Sequence, residues 1–313
     1  MVAVTEEAKL NLRKDYWAAK FPSQMPLNNL TGNDIYGSTQ TLPHQPPVQY
    51  RIKFIKFVIK KLETSDDCSE ELTEKWYETL EELSGAPVQQ EPFYRLYAIA
   101  EMETPIKIYE DEKAFVSEGS TGFITWRASL ELAKWISIDQ LATMNGNCCW
   151  AFELGCGTGL LALAIMTKFP HLSKFFATDV HQGVLARCGQ NISANQLSHK
   201  IDTSTLDWVQ DEEKFSNMCQ HAVDNFRQPG ILLGADVIFD ISVIPFLRRI
   251  IENFFSFEPL GRAYFSCAIR NQDTFDEFQR HIKESRLHIE ILHNWGNEES
   301  NGVIFEVQKY LST

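Results

Sequence analysis

"FELGCGTGLLALAI", residues 152–165, is the stretch that decides the fold of this chain. An apolar strand ends at Glu153-Leu154, glycines follow at positions 155, 157 and 159, and a helix begins at once. Glycines let a backbone turn tightly and approach a ligand closely, and the first turn of a helix offers free N–H groups. The stretch therefore predicts a strand, a ligand-binding loop and a helix in direct succession.

From Cys148 onward, strand-like and helix-like runs alternate. The strand-like runs are CCWAFEL, KFFATD, IDTSTLDW, GILLGADVIF and AYFSCAIR, with helical runs near 160–168, 182–195, 211–225, 242–254 and 273–284. This alternation indicates an α/β protein whose parallel sheet is covered by helices on both faces. LHIEILHNW and GVIFEVQKYL close the chain as two strands joined by a short polar loop. We expect one of these two strands to run antiparallel to the rest of the sheet.

The N-terminal part has a different pattern. Residues 1–48 predict a short helix near 6–20 and then an extended, irregular segment rich in turn formers. Apolar residues at helical spacing predict two helices around 55–62 and 72–83, with a turn over Thr64–Ser69. PFYRLYAIA and PIKIYEDE follow as a predicted pair of strands. We expect a helical N-terminal module over residues 1–90 and a second domain over residues 91–313.

The composition limits the classes of partner. The 313 residues carry 29 basic and 42 acidic side chains, a net charge of −13. This charge weighs against a protein that tracks nucleic-acid phosphates and favours a basic partner surface. The seven cysteines include no CxxC pair, so we predict no metal site. No signal peptide and no run of 18 apolar residues is found, so we expect a cytoplasmic protein without a membrane anchor, with a monomer favoured.

The glycine spacing separates the candidate ligands of the loop. The dinucleotide fingerprint needs a third glycine where Leu160 stands, and the phosphate loop needs a Gly-Lys pair that is absent. The acid-Leu-Gly-x-Gly-x-Gly pattern instead resembles motif I of the class I S-adenosylmethionine methyltransferases. A turn that uses glycine without any ligand is the alternative. The resemblance implies S-adenosylmethionine as cofactor and a binding loop that contains Glu153, Gly155, Cys156, Gly157 and Gly159.

Acidic residues end the next two predicted strands. Asp179 is placed to accept hydrogen bonds from both ribose hydroxyls of a nucleoside, and its alternative role is to cap the helix near residue 182. Asp207 can accept from the exocyclic amine of adenine. Trp208 beside it can pack on the adenine ring, with plain core packing as the alternative.

The order of the motifs narrows the resemblance. SEGSTGFITWRASLELAKWI, ELGCGTG, LDW and GADVIF occur in the order seen in the family 16 lysine methyltransferases. The resemblance implies a seven-stranded Rossmann-like sheet and protein-lysine N-methyltransferase activity. It places Trp126 against the methionine or adenosine part of the cofactor and Ala235 near its reactive methionine end. The Thr-Gly-x-x-Thr-Trp stretch, the Arg-Asn pair in AIRNQDTF and the helical N-terminal module are similar to family members that act on elongation factor 2. That similarity implies elongation factor 2 as the protein substrate, with up to three methyl groups added.

Asp236 and Phe239 match the acid-x-x-aromatic signature of the family and are the predicted catalytic residues. The relatives that act on elongation factor 2 have tyrosine at the second position, so Phe239 provides an aromatic wall without a hydroxyl. A carboxylate next to a lysine favours the charged ammonium, so we assign Asp236 to capture and orientation of the lysine and not to strong base catalysis. Phe239 and Trp126 can flank the ammonium through cation–π contact. The alternatives are a cap for Asp236, on a helix near Ser242, and core packing for Phe239.

Further residues near the C-terminus and two alternative functions are less strongly indicated by the sequence. Arg270 and Asn271 follow the next strand and are weaker candidates for substrate contact, while His293 and Trp295 are expected to be structural. A methyltransferase of the same fold that acts on another protein, a small molecule or nucleic acid is an alternative function. The net charge and the missing Pro-Pro-Tyr tetrad at ADVIFD weigh against nucleic acid. A non-enzymatic interaction module that retains the fold is a further alternative, which the intact loop, Asp179 and Asp236 disfavour.

Overall fold

A computed structural model describes residues 2–18, 25, 27, 30–40, 42, 45–46, 48–64, 69–85, 94–99, 105–110, 120–137, 149–226, 229–297 and 300–309. The chain divides into two compact units. The first comprises Met1–Ala98 and Glu103–Tyr109, and the second comprises Ile99–Met102 and Glu110–Thr313. The boundary between residues 90 and 91 stays a prediction.

The N-terminal unit is mainly helical. Its helices are α1 (Val2–Trp17), α2 (Gly32–Thr39), α3 (Val48–Leu62) and α4 (Glu70–Gly85). The strands β1 (Tyr94–Tyr97) and β2 (Ile106–Tyr109) pair antiparallel, as predicted. Aromatic side chains from three helices form the centre of its core, where Tyr16 meets Phe54 edge-on at 4.8 Å and Trp76 is fully buried. The predicted turn Thr64–Ser69 lies largely outside the described residues.

Helix α2 corrects the prediction of an irregular segment before residue 48. Thr31 and Asp34 form a reciprocal capping box: the Thr31 Oγ1 accepts from the Asp34 backbone N–H at 3.2 Å, and the Asp34 carboxylate accepts from the Thr31 N–H at 3.1 Å. Such a pair satisfies two N–H groups that a helix start leaves free. The prediction was wrong because glycines at positions 32 and 37 lower the helix propensity that this cap offsets.

The second unit is built on a seven-stranded sheet. Its strands are β3 (Trp150–Leu154), β4 (Lys174–Asp179), β5 (Ile201–Thr205), β6 (Gly230–Ala235), β7 (Arg262–Ala268), β8 (Leu287–Asn297) and β9 (Ser300–Lys309). Their order across the sheet is β5-β4-β3-β6-β7-β9-β8, and β9 runs antiparallel to both of its neighbours. The predicted antiparallel strand among otherwise parallel ones is confirmed.

Among the described residues, six α-helices accompany this sheet. They are α5 (Arg127–Trp135), α6 (Leu160–Lys168), α7 (Gln182–Ala194), α8 (Glu212–Asn225), α9 (Ile244–Phe257) and α10 (Gln272–Glu284), with short 3-10 turns at Thr121–Phe123 and Ile241–Val243. The architecture is the expected α/β arrangement of a mostly parallel seven-stranded sheet accompanied by helices. The predicted strand GILLGADVIF is too long, since β6 ends at Ala235 and the next residue, Asp236, has φ of +59°. A left-handed residue cannot continue a strand.

The centre of the sheet is tightly packed. All five residues of β3 are buried, as are the residues of α6 from Leu160 to Met166. Trp150 lies against Gly230, where a Cβ atom would approach the indole to 2.3 Å. Among the described helices, none combines the length and apolar character that crossing a membrane requires.

The strand order reverses direction between β3 and β6. Crossovers lead from β3 through β4 to β5 on one side and from β6 to β7 on the other. In open α/β sheets the ligand crevice lies at such a reversal, outside the carboxyl ends of the strands. Residues that follow β3, β4, β5, β6 and β7 therefore surround one crevice.

Candidate active site

The glycine loop after β3 depends on left-handed backbone conformations. Gly155, Gly157 and Gly159 have φ of +66°, +52° and +84°. A Cβ on Gly159 would lie 2.7 Å from the Cys188 Sγ of α7, so a side chain there is excluded by both backbone and space. The Cys156 N–H donates to the Thr178 carbonyl at 2.8 Å, which ties the loop to β4. The predicted loop residues therefore share one rigid turn that exposes backbone and no bulky side chain.

Asp179 connects the glycine loop to the end of β4. Its Oδ2 accepts from the Gly157 N–H at 3.2 Å and its Oδ1 accepts from the His181 N–H at 3.0 Å. The N-cap of α7 is His181, so the alternative in which Asp179 caps that helix is wrong. Burial raises the pKa of the Asp179 carboxyl, and the two backbone donors act in the opposite direction. The carboxylate is thus fixed at the crevice beside the loop.

Glu153 lies beneath the same loop. Its side chain is 1% exposed and accepts a hydrogen bond from the Ala162 N–H in the first turn of α6. Burial raises the pKa of this carboxyl well above its usual value. The Oε2 atom finds no hydrogen-bond partner among the described residues. Glu153 therefore supports the junction of loop and helix from below.

The segment before α5 runs along the glycine loop. The Thr125 hydroxyl lies 2.9 Å from the Thr158 hydroxyl, and Phe123 packs edge-on against the His181 ring at 5.6 Å. A Cβ on Gly122 would approach Val184 to 2.8 Å, so glycine is needed for this close contact. The structure therefore brings the predicted STGFITW approach to the predicted cofactor loop.

Residues after β5 border the loop from the other side. Trp208 is half-buried against the core of the sheet, and its Cζ2 lies 3.9 Å from the position of a Cβ on Gly155. The Asp207 Oδ1 accepts from the Val209 N–H at 2.8 Å. Sequence reasoning missed Val180 and Val209, which are 63% and 50% exposed at this edge. Their positions in the sequence could have indicated this edge, because Val180 directly follows Asp179 and Val209 lies two residues after Asp207.

Asp236 at the end of β6 is paired. Its Oδ2 lies 2.6 Å from the Arg270 Nη2, and its Oδ1 accepts from the Ala268 N–H at 3.2 Å. The Arg270 guanidinium also stacks over the Trp126 ring, 4.9 Å from its centroid. Arg270, a weaker candidate from the sequence, thereby connects Trp126 and Asp236, the two residues with predicted roles. Ala235, directly before Asp236, is half-buried and pairs with Ser266 of β7.

Two alternatives for the predicted catalytic residues are wrong. Asp240, and not Asp236, caps the 3-10 turn: its Oδ1 accepts from the Ser242 N–H at 2.8 Å. Phe239 is 63% exposed and so does not pack in the core. Asn271, a weaker candidate for substrate contact, caps α10 by accepting from the Asp273 N–H at 2.9 Å.

Trp295 of β8 contacts β7 and the start of α5. Its indole N–H donates to the Ser266 Oγ at 3.1 Å, and the Arg127 guanidinium stacks 5.2 Å from its ring centroid. The indole crosses Gly302 of β9, where a Cβ would lie 2.1 Å away. Arg127 directly follows Trp126, so this contact holds the start of α5. These contacts are those of a structural residue, as predicted, and through Arg127 they reach the neighbour of Trp126.

Comparisons with known proteins identify the family of the chain. The profile of a lysine methyltransferase family matches residues 101–285. The chain belongs to this family. It is an S-adenosylmethionine-dependent protein-lysine N-methyltransferase.

Individual relatives of the enzyme are moderately similar. The protein-lysine N-methyltransferase EFM3 of Chaetomium thermophilum is 26% identical over 252 residues, which cover 74% of this chain and 72% of the relative. The protein-lysine N-methyltransferase EEF2KMT of Homo sapiens is 28% identical over 263 residues, which cover 79% and 74%. Among solved structures, magnesium protoporphyrin IX methyltransferase from Synechocystis PCC 6803 with bound S-adenosylmethionine aligns at 14% identity with a TM-score of 0.43. This alignment covers 64% of this chain and 97% of that one.

The residues at the crevice fit the cofactor of this lysine methyltransferase. The loop at 155–159 holds no lysine or arginine that would balance a pyrophosphate. It instead has the partly buried carboxylate of Asp179 at its edge, an acceptor suited to the hydroxyl donors of a ribose. Below the loop, the Glu153 Oε2 has no hydrogen-bond partner among the described residues. Within the described ranges, no group of three His, Cys, Asp or Glu side chains is arranged to hold a metal ion.

Proposed function

We propose that this enzyme methylates a lysine of elongation factor 2. The observation that carries the proposal is the extent of the similarity to human EEF2KMT, whose name designates a lysine methyltransferase of that factor. The alignment covers 79% of the chain and so includes residues outside 101–285, the range of the general family profile. Similarity beyond the catalytic fold is expected where two enzymes share a substrate and not only a reaction.

The proposed cofactor residues act mainly through position. The backbone of Gly155, Cys156, Gly157 and Gly159 would line the bound cofactor, with Asp179 at its ribose. Trp208 and Asp207 would contact the adenine, Ala235 and Trp126 the methionine end, and Glu153 would support the loop from beneath. S-adenosylmethionine supplies, when bound, a methyl group on a sulfonium that the lysine nitrogen takes with its lone pair while the S–C electron pair returns to sulfur. What remains for the protein is to align the lysine and to exclude water.

The proposed acceptor residues handle the lysine side chain. Trp126 and Phe239 would form aromatic walls for its alkyl chain and ammonium. Asp236 would orient it, by attraction of the ammonium as it enters. The lysine must then become neutral, because a free lysine with a pKa of ~10.4 is only about one part in a thousand neutral at pH 7.4.

Elongation factor 2 as substrate also suggests where the enzyme acts. We propose a cytoplasmic, monomeric enzyme whose direct partner is the protein substrate, without a nucleic-acid or membrane partner. Five described cysteines are free thiols, which is typical of a reducing compartment. The net charge of −13 favours a basic surface on the substrate.

The test is direct methylation of the purified factor. The recombinant enzyme is incubated with radiolabelled S-adenosylmethionine and elongation factor 2, and the modified residue is mapped by mass spectrometry. We expect a single methylated lysine, and no label when that lysine is replaced by arginine. The Asp236→Asn variant is run in parallel, and a KM for the factor together with a pH profile of kcat that both equal those of wild type would remove Asp236 from the proposed site. If elongation factor 2 stays unlabelled while another protein in a cell extract is labelled, the proposed substrate is wrong.

A further inference from the structure

The cluster at the ends of β6 and β7 contains the positive charge of Arg270, which has no role in the reaction proposed above. Arg270 stacks on Trp126 and bonds to Asp236 with its guanidinium, so it touches two residues of the proposed acceptor site. Its side chain is 53% exposed, whereas that of Asp236 is only 9% exposed. Arg270 is therefore the more exposed member of the pair, and the Asp236 carboxylate is largely buried.

The position of the carboxylate is fixed by backbone as well as by charge. The Asp236 N–H donates to the Ser266 carbonyl at 2.8 Å, and the left-handed φ of +59° turns the chain away from the strand direction. The Ala268 N–H binds Oδ1 and the Arg270 Nη2 binds Oδ2. Both carboxylate oxygens are thus engaged within the protein. A carboxylate held this way still attracts an incoming ammonium, but more weakly than a free carboxylate would.

The other titratable groups around the cluster already have partners or are neutral. Burial raises the pKa of the Cys267 thiol on β7 to about 12, which keeps it uncharged. Asp240 bonds to the Ser242 N–H and hydroxyl, and Arg127 of α5 lies 3.6 Å from Glu131. Among the described residues of the adjoining segments, Glu110 accepts from the Thr125 N–H and Asp273 lies in the first turn of α10. Within the described part of the chain, the charges that contact each other beside Trp126 are therefore those of Asp236 and Arg270.

We propose that Arg270 neutralises Asp236 and thereby keeps the acceptor lysine in its neutral amine form. The inference rests on the proposed role of Asp236 beside the lysine, and Arg270 acts as a positioning residue. A carboxylate alone would stabilise the ammonium and so oppose the reaction, whereas a paired carboxylate does so more weakly. The proton of the ammonium can then leave to solvent before methyl transfer. Arg270 thus supplies what Asp236 lacks, a charge that disfavours the protonated lysine.

The sign of the effect follows from charge. Removing Arg270 leaves the Asp236 carboxylate unbalanced, which raises the pKa of the bound lysine and lowers its neutral fraction near pH 7. At the few-ångström distances of this cluster, a unit charge moves a neighbouring pKa by about one to two units. The loss should be large at neutral pH and should disappear where wild-type and variant complexes both hold neutral lysine. A structural defect would instead lower kcat by the same factor at every pH.

The first measurement is the pH profile of kcat for Arg270→Gln. We expect kcat to fall by about ten- to a hundredfold at pH 7.5, and the midpoint of the rising limb to move up by about one to two pH units, with the deficit shrinking as pH rises. Arg270→Lys keeps the positive charge and should keep the midpoint near the wild-type value. Arg280→Gln removes the same charge from the exposed face of α10, where it bonds to Glu277 and Glu284, and should leave the profile unchanged.

The complementary variants remove the negative charge of the pair, alone or together with the positive one. Asp236→Asn leaves Arg270 unbalanced, so the midpoint should move to lower pH even as KM for the protein substrate rises. Asparagine tolerates the left-handed backbone at this position, so the change isolates charge from strain. The double variant Asp236→Asn/Arg270→Gln has no net charge at the pair, and its midpoint should return toward that of wild type. Similar midpoints in all four proteins would overturn the inference.

A binding measurement tests the same charge without turnover. Calorimetry compares a substrate peptide with its counterpart in which norleucine, an uncharged analogue of similar length, replaces the target lysine. The ratio of the two affinities should favour the lysine peptide about tenfold more in Arg270→Gln than in wild type, because the bare carboxylate attracts the ammonium. An unchanged ratio, or an Arg270→Gln enzyme that is more active with an unshifted midpoint, would show that Arg270 is only a barrier to lysine entry.

The two proposals fail in different ways. Whether elongation factor 2 is the substrate is decided by wild-type enzyme alone. If that factor is not labelled, the four pH profiles and the peptide titrations are recorded with the lysine acceptor that wild-type enzyme labels in a cell extract. The role of Arg270 is then judged on the midpoints, which do not depend on the identity of the acceptor protein.

Discussion

The two sides of the crevice are built by different means. After β3 and β4 the site is made of backbone: three glycines with left-handed φ, and N–H groups that bind neighbouring strands and Asp179. After β6 and β7 it is made of side chains, where Trp126, Asp236 and Arg270 meet from three distant segments. The first side is therefore fixed by local conformation, and the second depends on the whole sheet being assembled.

The difference has a functional counterpart in this enzyme. A cofactor shared by many methyltransferases needs the same turn each time, and a backbone turn tolerates few side chains. An acceptor differs from one enzyme to another, and side chains on separate strand ends can vary without loss of the turn. We expect variants on the glycine side to change cofactor affinity or stability. Variants on the acceptor side should change KM for the protein substrate or the pH profile.

Gly159→Ala tests the backbone side with the largest expected effect. The alanine Cβ would lie 2.7 Å from the Cys188 Sγ, at a residue with φ of +84°. Backbone strain and overpacking together should lower the free energy of unfolding by about 2–4 kcal/mol, measured by urea denaturation, and should abolish cofactor binding in calorimetry. Gly189→Ala in α7 is the matched control. A Cβ there meets nothing within 4 Å, so stability should stay equal or rise by about 0.5–1 kcal/mol. Equal effects of both changes would contradict the requirement for glycine in the loop.

The same contrast explains what the sequence could predict. The glycine loop, Asp179 and the parallel sheet follow from local spacing, and the structure places them together as expected. The pairing of Asp236 with Arg270 spans 34 residues and requires β6 and β7 to be neighbours, which no local pattern states. It also requires the left-handed conformation of Asp236, an unusual one for a residue other than glycine. Helix α2 was missed although its signal is local. Its capping box lies within four residues, but its two glycines lower the helix propensity of the segment.

Asp179→Asn should have an intermediate effect, on the cofactor alone. The amide keeps one acceptor oxygen where the carboxylate now accepts from both the Gly157 and the His181 N–H groups. The dissociation constant for S-adenosylmethionine should rise about ten- to a hundredfold in calorimetry, because charge-assisted hydrogen bonds are stronger than neutral ones. Asp202→Asn, on the exposed part of β5, is the control and should leave that constant unchanged. An altered KM for the protein substrate at saturating cofactor would count against the separation of the two sides.

The pH dependence of cofactor binding provides a second test of Asp179. Burial raises the pKa of the Asp179 carboxyl above its usual 3.8. Ribose hydroxyls donate to the ionised form, so affinity should be full above that raised pKa and should decrease as the pH falls through it. The decrease should therefore begin at a higher pH than an exposed aspartate would give. Calorimetry at several pH values should show this slope in wild type and none in Asp179→Asn, and parallel slopes in both proteins would assign the titration to another group.

Phe239 provides the smallest and most selective test of the acceptor side. Its ring is 63% exposed, so Phe239→Ala should leave stability and cofactor affinity unchanged and raise KM for the protein substrate about three- to tenfold. Leu260→Ala, which removes an equally apolar side chain that is 74% exposed before β7, should change neither. Phe239→Tyr adds the hydroxyl that the resemblance implies at this position, and its activity should stay within about twofold of wild type if only an aromatic wall is required. A much larger gain would mean that the hydroxyl has a use that the phenylalanine enzyme lacks, and the acceptor side would then depend on hydrogen bonding as well as on charge and shape.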